Sequence, residues 1–163
     1  MSWLSRLPHP LVLVLSAVVL LALGLAGSAW YAADRAQRED RASTEAVAAA
    51  TAASQAVFSY DYRNFDASVA NGMQFVTGDF AKEYAQTTGE LKAAVEKEHA
   101  IVRAEVSAAG VVEAAPNRVE VLLYVNQYRR NLNIAGEKVD QNRVVLTMVP
   151  AAGGWRVQHA VAM

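Results

Sequence analysis

Hydrophobic positions divide this chain into three regimes. From Leu11 to Ala33 the sequence LVLVLSAVVLLALGLAGSAWYAA carries no charged side chain. A helix rising ~1.5 Å per residue needs roughly 20 apolar residues to cross a ~30 Å hydrocarbon layer, and this run has that length. Trp30 and Tyr31 stand at its end, where interfacial aromatics belong. From Asp34 to about Glu98 the apolar positions recur every three or four residues, which is the helical period. Ala42, Ala46, Ala49, Ala53, Ala56 and Tyr60 trace one stripe, Phe65, Val69, Met73 and Val76 a second, and Phe80, Tyr84, Thr87, Leu91 and Val95 a third. After Ala100 the period becomes two. Val102, Ala104, Val106 and Ala108 alternate with Arg103, Glu105 and Ser107, and Val119, Val121, Leu123 and Val125 share a face of a strand reaching Arg130. Arg143–Val149 and an alternating run from Trp155 through Val157, His159 and Val161 give two more strands.

This order predicts an α+β protein. A short tail (1–10) precedes a transmembrane helix (11–33). Residues 34–58 form a helical stalk and the first domain helix, and 59–163 complete the domain. About three helices are expected on a curved, four-stranded antiparallel sheet joined as a meander. Gly110 reads as a bulge or bend, and Ala115–Arg118, Asn131–Val139 and Ala151–Gly154 read as turns. Asp61 or Asn64 is expected to cap the second helix, and Thr77 or Asp79 the third. Phe65, Phe80 and Trp155 are expected core anchors.

Two other readings of the apolar run were weighed. Gly27-Ser28-Ala29 would pass as a signal-peptide cleavage site, but the run is longer than such a peptide needs. A helix apolar all round also suits a buried core, which its length and N-terminal place disfavour. Arg6 alone precedes the run, whereas Arg35, Arg38 and Arg41 follow it, so basic residues do not favour a cytoplasmic N-terminus. The small tail nevertheless suits a single-pass protein with its N-terminus inside and its domain outside.

Composition narrows the chemistry. The formal charge of the 163 residues is −1, and Arg6 is the only fixed charge before Asp34, so the rest carries −2. That balance disfavours nucleic acid, which selects basic faces. With no cysteine, disulfides and thiolate metal sites are excluded. No HxxxH or HExxH spacing, nucleophile elbow or glycine-rich phosphate loop occurs, so no metal, cofactor or catalytic residue is expected. Of the histidines, His9 reads as a solvated tail residue, His99 as a helix-end cation, and His159, alternating with Val157, as inward-facing and hydrogen-bonded. Tyr124, Tyr128, Arg129 and Arg130 form a candidate contact patch for protein or lipid headgroups.

The motifs point further. Tyr60-Asp61-Tyr62-Arg63-Asn64-Phe65-Asp66, then Thr77-Gly78-Asp79-Phe80, the strand Val121–Gln127 with Asn126, and Gly153–Val157 with Trp155 resemble the signature of actinobacterial Mce-associated membrane proteins. The element order resembles the cone-shaped nuclear-transport-factor-like fold of ketosteroid isomerases. The resemblance spans nearly the whole chain. It implies a bitopic membrane protein with an extracytoplasmic domain, and an accessory, non-enzymatic role beside Mce lipid-import proteins. Tyr60, Asp61, Arg63, Asp66, Thr77, Gly78, Phe80, Asn126 and Trp155 are expected to serve structure, with Asp61 capping a turn or pairing with Arg63. The alternative is a cone domain whose apolar pocket binds or modifies a small hydrophobic molecule. A cavity with convergent polar groups would favour that alternative.

Overall fold

The computed structural model describes the backbone from His9 to Met163 and the side chains from Leu20 onward. The chain divides into two units, one ending at Arg38 and one spanning Glu39–Met163. A single helix, α1 (His9–Val57), contributes to both.

In the first unit, α1 leaves Leu20, Leu21, Leu23 and Leu25 between 63% and 69% exposed, with Trp30 and Tyr31 exposed as well. These positions are too closely spaced to share one helical face. Among the described residues no helix is long and apolar enough to cross a membrane. The expected span Leu11–Ala33 lies only in part among them, because the side chains before Leu20 are outside. The tail 1–8 is outside altogether.

The second unit continues with a two-residue strand β1 (Tyr60–Asp61), one 3-10 turn (Tyr62–Asn64), α2 (Phe65–Met73) and α3 (Gly78–Glu98). Four long strands follow: β2 (Ile101–Ala115), β3 (Arg118–Arg130), β4 (Lys138–Ala151) and β5 (Gly154–Ala162). All pair antiparallel in the order β1-β2-β3-β4-β5. The sheet therefore has five strands, not four. The extra one pairs only Tyr60 with Val102 and Asp61 with Ile101, too short a run to leave a period in the sequence. β2 continues through Gly110 to Ala115, with register shifts at Val106/Ala108 and Val111/Glu113 instead of a break at the glycine. β4 starts at Lys138, inside the stretch expected to be a turn.

The core forms where the alanine stripe of α1 meets the helix-facing side of the sheet. Ala46, Ala50 and Ala53 are fully enclosed, and so are Val119, Val121 and Leu123 of β3 and Met148 of β4. Alanine, the best helix former, also lets a backbone approach closely. The stripe drifts, because 3.6 residues per turn bring Ala50 inward while Ala49 is only partly buried. Phe65 is buried at 4% exposure, whereas Phe80 and Trp155 are half-buried against the core. Trp155 packs at the edge of the core, where its Nε1 donates to Glu45 Oε2 on α1 at 3.2 Å.

Candidate functional site

The motif around Tyr60 is spent on local geometry. Asp61 sits in extended backbone and caps the 3-10 turn by accepting from the Arg63 N–H at 2.9 Å. The same carboxylate pairs with the Arg63 guanidinium, and this hydrogen-bonded pair holds it below the usual carboxylate range. Arg63 Nε donates at 2.9 Å to Oδ1 and at 3.0 Å to Oδ2. Asp66, on the first turn of α2, meets Lys92 of α3 at 2.6 Å and ties the two helices together. Asn64 occupies the position before α2 without a side-chain cap bond, so Asp61 acts on the turn and not on the helix.

The Thr77-Gly78 motif docks α3 on the sheet. The Thr77 N–H donates to the Val157 carbonyl at 2.9 Å, and the Val157 N–H donates to the Phe75 carbonyl at 2.8 Å. Gly78 has φ +63°, a left-handed conformation that a side chain would strain. Thr77 precedes α3 but its hydroxyl makes no cap bond, and Asp79 instead pairs with Lys82 at 2.7 Å. At the other end His99 closes α3 in a left-handed conformation, φ 53°, with its ring stacked on Tyr62 at 4.5 Å.

The candidate contact patch is not one surface. Side chains alternate along a strand, so Tyr124, Tyr128 and Arg130 share the outer face of β3 with Asn126, while Arg129 belongs to the helix-facing side with buried Val125. Tyr124 is 45% exposed. Tyr128 lies under the Arg103 guanidinium at 4.4 Å, and Arg130 pairs with Glu137 at 2.9 Å. Arg129 pairs with Asp140 at 2.5 Å, and its buried Nε finds no partner among the described residues. His159 does not face inward either. Between Thr147↔His159 and Met148↔Val157 the register slips by Gln158, which turns His159 outward.

Folding assembles something the sequence did not disclose. The second and third stripes meet over the β1–β2–β3 end of the sheet and leave a cavity of about 350 Å³. Its wall is mostly apolar, with Phe58, Phe65, Val69, Phe80 and Leu91. The polar residues of its lining are Ser59, Tyr60, Glu83, Tyr84, Thr87, Thr88 and Gln127. The Tyr60 ring stands edge-on to Phe65 at 5.7 Å. Burial raises the pKa of both tyrosines, so each hydroxyl stays protonated at neutral pH. Arg129 partly offsets that rise at Tyr60. Gly72 makes room for Tyr84: a Cβ there would lie 2.2 Å from its hydroxyl oxygen. Among the described residues no group of three His, Cys, Asp or Glu is arranged to hold a metal.

No family model matches the chain. An uncharacterized protein of Mycobacterium tuberculosis is 28% identical over 154 residues, covering 92% of this chain and 69% of that protein. Solved structures share the fold. An IcmL-like type IV secretion system protein of Legionella pneumophila superposes with a TM-score of 0.61 at 18% identity, over 72% of this chain and 88% of its own. The periplasmic domain of DotI gives 0.60 at 14% identity, over 72% and 91%. CagV, a VirB8 homolog of Helicobacter pylori, gives 0.58 at 13% identity, over 72% and 95%. At these identities the likeness speaks for the fold.

Proposed function

We propose that this protein is a membrane-anchored, non-enzymatic accessory component of the cell envelope. Its extracytoplasmic domain supports an Mce-type lipid-import complex. The observation that carries the reading is the fold shared with the periplasmic domain of DotI and with the IcmL-like secretion protein. The bare leucines at 20, 21, 23 and 25 support the anchor, because apolar side chains around a whole helix are at home in hydrocarbon. The motif residues support the non-enzymatic part. Asp61, Asp66, Thr77 and Gly78 each have a structural task, and His99 and His159 are exposed. The Mce partner rests on the sequence signature from Tyr60 to Phe80. Contact with that partner falls to the outer face of β3, around Tyr124 and Tyr128.

Two arms of one experiment test this. Cross-linking of the tagged full-length chain in intact cells, followed by mass spectrometry, should recover Mce-type proteins. Removal of the chain should lower their abundance and lipid uptake together, with both restored by the full-length chain. Unchanged uptake and complex abundance in cells lacking the chain would contradict the reading.

A further inference from the structure

We propose that the cleft where the 3-10 turn meets the outer face of β2 and β3 binds a phosphate monoester through Arg63, Arg103 and Arg130. This inference does not rest on the accessory role, whose test reads complex abundance and lipid uptake and not ligand binding.

Strand register brings the three arginines together. Asp61 pairs with Ile101, Ile101 with Arg130, and Arg103 with Tyr128. Partners in an antiparallel pair share a face of the sheet. Val102, between Ile101 and Arg103, is buried on the helix-facing side. Ile101, Arg103, Tyr128 and Arg130 therefore stand on the outer face, and Asp61 holds Arg63 beside them. With Glu137 these residues line a cleft of about 340 Å³. Two of the guanidinium groups are fixed against residues of that lining. Arg103 lies 4.4 Å from the centre of the Tyr128 ring, and Arg130 Nε donates to Glu137 at 2.9 Å.

Charge then selects the ligand. The lining sets three guanidinium groups against one carboxylate, a surplus of two positive charges. Asp61 and Glu105 pair with Arg63 and Arg103 but do not line the cleft, so they orient the arginines from outside it. A guanidinium has five N–H donors, and one carboxylate does not exhaust them. A phosphate monoester carries about −1.5 to −2 charge at neutral pH and presents three strong acceptor oxygens, which matches both the surplus and the number of arginines. A carboxylate brings a single charge and fits one guanidinium fork. The Arg130–Glu137 pair is exposed, and exposed pairs are held weakly, so Glu137 can yield to a more highly charged partner. Ile101 and Tyr128 supply apolar surface for the organic part of the ester.

The test uses the full-length chain in phosphatidylcholine nanodiscs, with arginine Nε–H signals observed by NMR and empty nanodiscs as the blank. The probes are glycerol 3-phosphate, dihexanoyl phosphatidate and acetate. Glycerol 3-phosphate should shift the Arg63, Arg103 and Arg130 signals saturably, and acetate should bind at least about tenfold more weakly. Arg103→Gln or Arg130→Gln should weaken glycerol 3-phosphate about three- to tenfold, the effect of one charge-assisted hydrogen bond partly screened by water. Arg118→Gln, at the far end of β3, should leave it unchanged. Dihexanoyl phosphatidate carries the same monoester on a short lipid. Tighter binding of it than of glycerol 3-phosphate assigns the site to a lipid headgroup, equal binding assigns it to a soluble phosphate, and either sustains the proposal. The proposal is overturned by acetate binding as tightly as glycerol 3-phosphate or by the absence of saturable shifts with either phosphate. Full affinity in a folded Arg103→Gln/Arg130→Gln double variant also overturns it, with Arg63→Gln/Arg130→Gln taking its place if loss of the Tyr128 stack prevents folding.

Discussion

The two ends of the helix-covered sheet face are built on opposite principles. Under α1 the contact is dry: alanines lie against valines, Leu123 and Met148, and nearly every side chain is below 2% exposed. Under α2 and α3 the same sheet face meets Phe, Tyr and Leu side chains, which are larger yet leave a cavity of about 350 Å³. The bulk of the residues does not decide whether a core closes. Under α1 the alanines, with no side chain beyond Cβ, pack directly among the buried valines, Leu123 and Met148. Where α2 and α3 cover the sheet, the hollow lined by apolar side chains lacks the dispersion contacts that a closed core has.

The largest expected effect probes the packed end. Leu123→Ala should cost about 2–5 kcal/mol of unfolding free energy, because the surrounding atoms cannot collapse into the gap. Leu91→Ala at the hollow end should cost less than half as much, since that side chain already borders empty space. Chemical denaturation of the two variants side by side checks the difference, and equal losses would break the comparison.

Overpacking comes next. Ala50→Leu should cost about 1–3 kcal/mol by forcing α1 away from the sheet. Val69→Leu, which adds one methylene beside the cavity, should be neutral within about 0.5 kcal/mol or stabilising. A melting-temperature shift of the same sign and size for both would show that the cavity has no room.

Trp155→Ala sharpens the boundary between the ends. With Trp155 half-buried and bonded only to exposed Glu45, the loss should fall below the ~3–5 kcal/mol of a fully buried aromatic. A loss within that range would return Trp155 to the core.

The smallest effect belongs to Asp61→Asn, since asparagine caps nearly as well as aspartate. Its pH dependence has a definite sign. The folded pKa of Asp61 is lowered by the Arg63 hydrogen bond. Its contribution is therefore present at neutral pH and is lost as pH falls from about 4, the unperturbed value, through the folded pKa. Stability curves of wild type and Asp61→Asn should converge toward acid pH. Divergence there would remove the Asp61–Arg63 pair from the account.

Most of the fold was legible because long periodic runs report it. Ala42, Ala46 and Ala53, the run Phe65–Met73, the third stripe and the Val119–Val125 face lie where the period places them, whereas Tyr60 falls in β1 and Val76 in a bridge to Val157, beyond the helices. The misses have local causes. β1 is two residues long. Gly110 reads as a bulge or bend, and β2 does carry register shifts, but at Val106/Ala108 and Val111/Glu113 on either side of the glycine. One slipped residue at Gln158 reversed the direction of His159. The four-residue patch on β3 was read as a segment, although strand alternation separates Arg129 from Tyr124, Tyr128 and Arg130. The cavity was least legible. The stripes Phe65–Val69 and Phe80–Tyr84–Leu91 have the same pattern whether they close on a sheet or stand away from it, and a period says nothing about distance.

The central claim is an accessory domain on the outer side of the cell membrane, and the chain's lack of cysteine makes it directly measurable. Ser107→Cys places a single thiol at an exposed position of β2. A membrane-impermeant maleimide applied to intact cells should label this variant fully, and a Ser2→Cys variant only after the membrane is opened. Labelling of Ser2→Cys in intact cells, with Ser107→Cys protected until lysis, would contradict the account.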